Sequence, residues 1–181
     1  STCNEALLIR HLLKNSKDKQ EKAYLLNYFL ESFRGTLFRQ TMFAEFEQKA
    51  HEMAATGESL TSQSLCSIYK KLNEDYFGPD TVTDPEIQYE WERIPHFYTP
   101  FYVYQYATGF SAAIAISRKI FNGEPGILEG YRKFLSGGCC DTPIELLKLA
   151  GVDMSHTGPV EEALKFFEEL LNEFEELVHR F

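Results

Sequence analysis

The spacing of the apolar residues constrains the fold of this chain more than any other feature of its sequence. Apolar side chains recur every three or four positions through most of the chain, which is the period of a helix with one buried face. The clearest stretch comprises Val160, Leu164, Phe167, Leu171, Phe174, Val178 and Phe181. No strand with the two-residue period of a half-buried sheet is predicted. The sequence therefore predicts an all-α fold.

Capping and helix-stopping residues place the boundaries of the predicted helices. Asp18, with Glu21 positioned to complete a capping box, predicts a long helix that runs to about Ala55 and ends at Gly57. Further boundaries predict helices over 7–15, 62–77 and 85–91, a loop over 93–100, and helices over 101–121, 125–135, 143–150 and from 159 onward.

Composition limits the partners and the compartment that we expect. The formal net charge is −9, so nucleic acid and anionic membrane surfaces would repel the chain, and neither is expected as a partner. No apolar run approaches the roughly 18 residues that a membrane span needs. The four cysteines show no spacing typical of a metal site, and reduced thiols are the default in a chain of this size. These features predict a cytoplasmic protein.

The sequence His51-Glu52-Met53-Ala54-Ala55 begins like the zinc-binding motif HExxH. In that motif two histidines four positions apart bind zinc on one helix face, and the glutamate polarises the attacking water. Here Ala55 stands where the second histidine is required. A single imidazole cannot hold a catalytic zinc ion. We therefore expect His51 and Glu52 to be surface residues of a helix.

A histidine in a proline-containing loop, followed by several tyrosines, is the most informative candidate for a site. His96 precedes Tyr102 and Tyr106, which would share a helix face because residues four apart are neighbours, whereas Tyr104 would point elsewhere. Imidazole and phenol groups beside a cleft can donate hydrogen bonds to an oxyanion. Tyrosines at this density also fill protein cores, and spacing alone favours that second interpretation.

Several collinear motifs extend from one end of the chain to the other. They are Ser1–Leu8 (STCNEALL), Phe38–Glu47 (FRQTMFAEFE), Ile94–Tyr98 (IPHFY), Phe101–Gly109 (FYVYQYATG), Gly137-Gly138 and Pro143–Met154 (PIELLKLAGVDM). Together they are similar to oligoendopeptidase F, a bacterial relative of thimet oligopeptidase in a family of zinc metallopeptidases. Because the motifs occur in the order of the family, the resemblance covers nearly the whole chain.

The resemblance implies a helical, clam-shaped enzyme that cleaves short peptides inside a deep channel. In the family an HExxH helix supplies two histidine ligands and the general base, and a glutamate on a following helix is the third ligand. That glutamate lies in a run Glu-Val-Ala-Ser-Thr-x-Asn-Glu. Matching the run to Ser1–Glu5 places the ligand three residues before Ser1, and Glu5 then matches the last glutamate, a carboxylate that hydrogen-bonds a ligating histidine.

By this resemblance, residues 1–181 are the C-terminal helical portion of the peptidase catalytic domain, without the HExxH part. Zinc would be bound by the full-length parent and not by this chain alone, and the isolated fragment would be inactive. The partners would be short peptides and the missing N-terminal part of the same polypeptide.

The resemblance also assigns roles in the tyrosine-rich segment. His96 matches a histidine that helps to stabilise the tetrahedral intermediate, and Tyr102 and Tyr106 match its partner tyrosines. Tyr98 would contact substrate, and Tyr104 remains an alternative to the other tyrosines.

Two functions from different classes follow from these observations. The first is a part of a zinc-dependent oligoendopeptidase that supplies a channel wall and hydrogen-bond donors on the oxyanion side. The second is a non-catalytic helical module that uses the same scaffold to hold peptides. The presence or absence of HExxH upstream of Ser1 would separate them.

Overall fold

The structure of the chain, a computed structural model, describes residues 1–179. Its α-helices are α1 Thr2–Asn15, α2 Lys19–Phe33, α3 Arg39–Ala55, α4 Ser62–Phe77, α5 Tyr104–Phe121, α6 Ile127–Ser136, α7 Pro143–Leu149 and α8 Gly158–Val178. A π-helical turn covers Arg34–Phe38, and two 3₁₀ segments cover Pro85–Arg93 and Pro95–Tyr98. No strand occurs among the described residues, so the all-α prediction is confirmed.

Local capping signals explain most of the boundaries. The Thr61 hydroxyl and the Ser64 side chain form a reciprocal capping box at the start of α4, and Gly78 ends that helix at a φ of 77°. The Thr142 side chain caps α7, with Pro143 at its first position. These boundaries lie where the sequence predicted them.

Several predicted boundaries are wrong in detail. The long helix predicted over 18–55 is divided by the π-helical turn into α2 and α3. Asp18 caps α2 through Gln20, but the Glu21 carboxylate accepts a hydrogen bond from the Ser16 hydroxyl. The predicted loop over 93–100 contains a 3₁₀ turn, and the helix predicted from Phe101 begins three residues later.

The chain divides into two compact units. One unit consists of Ser1–Arg34 together with the chain from Thr108 onward, and the other consists of Gly35–Ala107. In the first unit α2 packs on α8 through aromatic rings, with the Phe29 and Phe166 centroids 5.7 Å apart. In the same unit α6 lies so close to α7 that a Cβ added at Gly130 would stand 1.9 Å from the carbonyl oxygen of Leu149.

The buried face of α8 differs from the predicted apolar stripe. Ala163, Phe166 and Leu170 are buried, whereas Leu164, Leu171 and Val178 are exposed. Val160, Phe167 and Phe174 are partly buried, and Phe181 lies outside the described residues. The prediction was wrong by one helix position because α8 is apolar on more than one face, and its packing against α2 selects which face is buried.

The second unit is built around α3, α4 and the first 3₁₀ segment. Its core contains Met42, Phe43, Phe46, Tyr69, Leu72, Ile94 and Val103. Ile94 and Val103 flank the tyrosine-rich segment, so both ends of that segment are fixed in the core. No helix among the described residues is both long and apolar enough to span a bilayer.

Candidate functional site

The 3₁₀ turn Pro95–Tyr98 presents His96 at the surface of the second unit. Ile94 is buried just before the turn, and Phe97 packs edge-on against Phe43, with ring centroids 5.7 Å apart. Phe97 also contacts the ring of Phe46, at 5.3 Å. Ile94 and Phe97 thus pack toward the core, while the His96 imidazole between them is exposed.

His96, Tyr102 and Tyr106 come together as one cluster, which we call the His–Tyr group. The rings of His96 and Tyr102 stack, with centroids 5.6 Å apart and an interplanar angle of 11°. Tyr106 stands edge-on to both rings, 5.9 Å from His96 and 5.4 Å from Tyr102. The three predicted residues are therefore adjacent, although Tyr102 precedes α5 instead of lying on its face as predicted.

The two tyrosine hydroxyls of the group contact each other. Tyr106 Oη donates to Tyr102 Oη across 3.3 Å, a long distance for an O–H···O bond. This bond, followed by partial desolvation, raises the pKa of Tyr106 above its ordinary value. A phenol with the ordinary pKa of about 10 is already protonated at neutral pH, so the hydroxyl can act as a donor. Both tyrosines are 38% exposed, which leaves the hydroxyls accessible to a ligand.

The segment contains two further tyrosines, Tyr98 and Tyr104. Tyr98, the predicted substrate contact, is 87% exposed at the end of the 3₁₀ turn. Tyr104 is the first residue of α5 and is also exposed. Among residues 1–179 no ring contact joins Tyr98 to His96, Tyr102 or Tyr106, and its exposure leaves the ring accessible to a ligand.

Glu5 lies on the first turn of α1, in the first unit. Its Oε1 accepts a hydrogen bond of 2.8 Å from the Tyr28 hydroxyl of α2, and this bond raises the pKa of Tyr28. The next side chain back along α1, Asn4, accepts a hydrogen bond from Tyr131 at 3.0 Å. Glu5 is exposed, so its second oxygen is available to a further partner.

The described residues do not fit a zinc ion. They contain no group of three or more His, Cys, Asp or Glu side chains placed to bind a metal. His51 and Glu52 are exposed on α3, as predicted, and Glu52 accepts a hydrogen bond from Gln48 at 2.8 Å.

Sequence inspection missed a contact between α3 and the turn that precedes Tyr102. Oε1 of Glu47, which is 6% exposed, accepts a hydrogen bond of 2.6 Å from the backbone N–H of Phe101. The His51 ring stacks on the Phe101 ring with centroids 4.9 Å apart. The one sequence feature that pointed to Glu47 was its place in the family-like motif Phe38–Glu47, and that motif gave no role for Glu47.

A second missed feature is a buried ion cluster around Glu90. Its Oε1 accepts from Arg39 at 2.6 Å and from Arg93, and its Oε2 accepts from the Tyr69 hydroxyl at 2.5 Å. Burial raises the pKa of Glu90, but the bonds from Tyr69 and the arginines outweigh burial and hold it below the usual range. A groove of about 540 Å³ borders this cluster and is not lined by the His–Tyr group.

Comparison with known proteins shows which family the chain belongs to. Residues 1–166 match Peptidase family M3, and the chain belongs to that family.

Individual relatives are similar to this chain over nearly all of it. Oligopeptidase PepF of Bacillus subtilis (strain 168) is 54% identical over 179 residues, which are 98% of this chain and 27% of the relative. The chromosomal oligoendopeptidase F of Lactococcus lactis subsp. cremoris is 51% identical over 99% of this chain and 30% of its own length.

The crystal structure of oligoendopeptidase-F from Enterococcus faecium superposes with a TM-score of 0.96 at 51% identity. The superposition covers 100% of this chain and 35% of the Enterococcus faecium chain. The chain thus spans about a third or less of the proteins that it matches.

Proposed function

We propose that residues 1–181 are the C-terminal helical portion of the catalytic domain of a zinc-dependent oligoendopeptidase that hydrolyses short peptides. Membership of Peptidase family M3 and the names of relatives that are 51–54% identical support this proposal. The zinc ligands would be supplied by another part of the same polypeptide, because the described residues offer no such set. That other part is then the main partner of this chain.

The observation that carries the proposal for this chain is the His–Tyr group. An imidazole N–H and two phenol O–H groups lie within one exposed cluster, and the long bond between the hydroxyls is weak enough to be exchanged for a substrate oxygen. When a peptide carbonyl is attacked, its oxygen gains negative charge, and donors placed in advance stabilise that charge. We assign this role to His96, Tyr102 and Tyr106.

Two further residues receive roles on the family resemblance. Tyr98 would contact the bound peptide, which agrees with its exposed ring. Glu5 would hydrogen-bond a metal-ligating histidine through the oxygen that Tyr28 leaves available. A cytoplasmic location is part of the proposal, since all four cysteines are free thiols.

The test uses the longest polypeptide that carries this chain. Its purified form should cleave a fluorogenic peptide, a chelator should stop the cleavage, and restoring zinc should recover it. A polypeptide that binds the peptide with micromolar affinity but never cleaves it, with or without zinc, would instead identify a peptide-binding module. His96→Ala tests the role of this chain in the same assay.

A further inference from the structure

The turn that carries Tyr102 contains an unfavourable backbone conformation. Phe101 has a φ of 59°, and it is the one non-glycine residue with a positive φ among residues 1–179. In this left-handed region the Cβ of an ordinary residue approaches the backbone too closely, so surrounding contacts must maintain the conformation.

Two side chains of α3 supply those contacts. The Glu47 carboxylate accepts the Phe101 N–H at 2.6 Å, and an N–H bond to a charged, buried acceptor is among the stronger hydrogen bonds in proteins. One helical turn further on, the His51 ring covers the Phe101 ring. His51 Nε2 also lies 4.0 Å from Glu47 Oε1. Residue 101 is thereby fixed through both its backbone and its side chain.

The conformation of Phe101 determines where the next residue stands. Tyr102 follows it directly and stacks on His96, while Val103 returns to the core at 1% exposure. If Phe101 relaxed to a negative φ, the direction of the chain at Tyr102 would change, and the stacking on His96 would be lost. The polar contacts of Glu47 are with the Phe101 N–H and with His51, so its direct link to the segment that carries Tyr102 is this turn.

We propose that Glu47 is a positioning residue for the His–Tyr group, holding Phe101 in the left-handed conformation that places Tyr102 over His96. This inference rests on the proposed function of the group, and it assigns a role to the Phe38–Glu47 motif. A displacement of about 1 Å at a catalytic group can cost roughly a hundredfold in rate, so a contact distant from substrate can control turnover.

The experiment compares Glu47→Gln with Glu45→Gln in the longest polypeptide that carries this chain. Glu45 lies on the same helix and accepts a hydrogen bond from Tyr76 at 3.0 Å, so it is a matched control without a contact to the turn. We expect Glu47→Gln to lower kcat about tenfold or more with KM nearly unchanged, since the amide is a weaker acceptor. Glu45→Gln should change kcat less than twofold.

Hydrogen exchange provides a readout that does not depend on activity. In Glu47→Gln the backbone amide of Phe101 should exchange faster, while the amides of α3 keep their protection. Phe101→Gly adds a rescue arm, because glycine adopts a positive φ without steric cost. In that background Glu47→Gln should lower kcat less than threefold.

The outcomes separate the two proposals. If His96→Ala lowers kcat but Glu47→Gln behaves like Glu45→Gln in both kcat and exchange, the positioning role is wrong and the proposed function stands. If His96→Ala leaves kcat unchanged, the proposed function itself fails. Glu47→Gln is also compared in two backgrounds, the wild type and Phe101→Gly. If it lowers kcat by the same factor in both, the positioning role is wrong. Should Glu47→Gln not fold, Glu47→Asp, which keeps the charge but shortens the side chain by one methylene, should still accelerate exchange at the amide of residue 101, and unchanged exchange would refute the proposal.

Discussion

Replacing Tyr106 by phenylalanine separates a catalytic tyrosine from one that only fills space. The substitution removes one hydroxyl, whose bond to the Tyr102 hydroxyl is 3.3 Å long. It keeps the ring, whose centroid lies 5.9 Å from the centroid of the His96 ring. Because the site is exposed and the bond is weak, the free energy of unfolding should change by less than about 0.5 kcal/mol. For 150–250 residues that corresponds to less than about 2 °C in melting temperature, and for a longer polypeptide the shift should be smaller still.

The effect on turnover should be much larger. Loss of one donor to a developing oxyanion costs roughly 10²–10³ in kcat, or about 3–4 kcal/mol, and such donors act mainly in the transition state. We therefore expect Tyr106→Phe and His96→Ala, each made in the longest polypeptide that carries this chain, to lower kcat by about two orders of magnitude, with KM changed less and bound zinc retained. Steady-state kinetics, metal content and melting temperature are measured on the same preparations.

Tyr104→Phe is the matched control, because it removes the same hydroxyl from an exposed tyrosine two residues away. Its kcat should stay within about twofold of the wild-type value, since the proposal assigns the oxyanion contacts to His96, Tyr102 and Tyr106 and none to Tyr104. A near-normal kcat in both Tyr106→Phe and His96→Ala would refute the oxyanion role. A loss of kcat that follows a fall in melting temperature would point to packing instead.

Three further results are expected. The isolated 181-residue chain should neither retain stoichiometric zinc after dialysis nor hydrolyse peptides, since tight catalytic zinc needs three protein ligands; zinc-dependent cleavage by the purified chain would contradict this. In the longer polypeptide, Glu5→Ala should weaken zinc retention against a chelator by about 10–100-fold without changing the helical circular dichroism, whereas unchanged retention and turnover would make Glu5 an ordinary surface residue. Glu90→Gln should destabilise the protein by about 3 kcal/mol at neutral pH, because two guanidinium groups lose a buried carboxylate. The pKa of Glu90 is depressed, so its contribution is present above the unfolded value of about 4.3 and is lost as pH falls below it. Urea titrations should thus show that the difference in free energy of unfolding between wild type and Glu90→Gln becomes smaller in acid. If that difference does not change with pH, the charge of Glu90 is not its cause.

The sequence by itself determined the helical class and many helix boundaries. Thr61, Gly78 and Thr142 act through hydrogen bonds and backbone preferences within a few residues, so their effects follow from local sequence. The same local reasoning selected His96 and the tyrosines as candidates. It could not choose between a packed core and an accessible group, because both use the same residue types.

Tertiary structure alone decided which surfaces are buried and how the candidate site is held. On α8 several apolar faces compete, and contact with α2 buries Ala163, Phe166 and Leu170 in place of the predicted stripe. Glu47 and Phe101 are 54 positions apart, and the positive φ of Phe101 opposes its local preference. A conformation that is locally unfavourable cannot be predicted from local sequence, because the contact that maintains it exists only after the helices have packed.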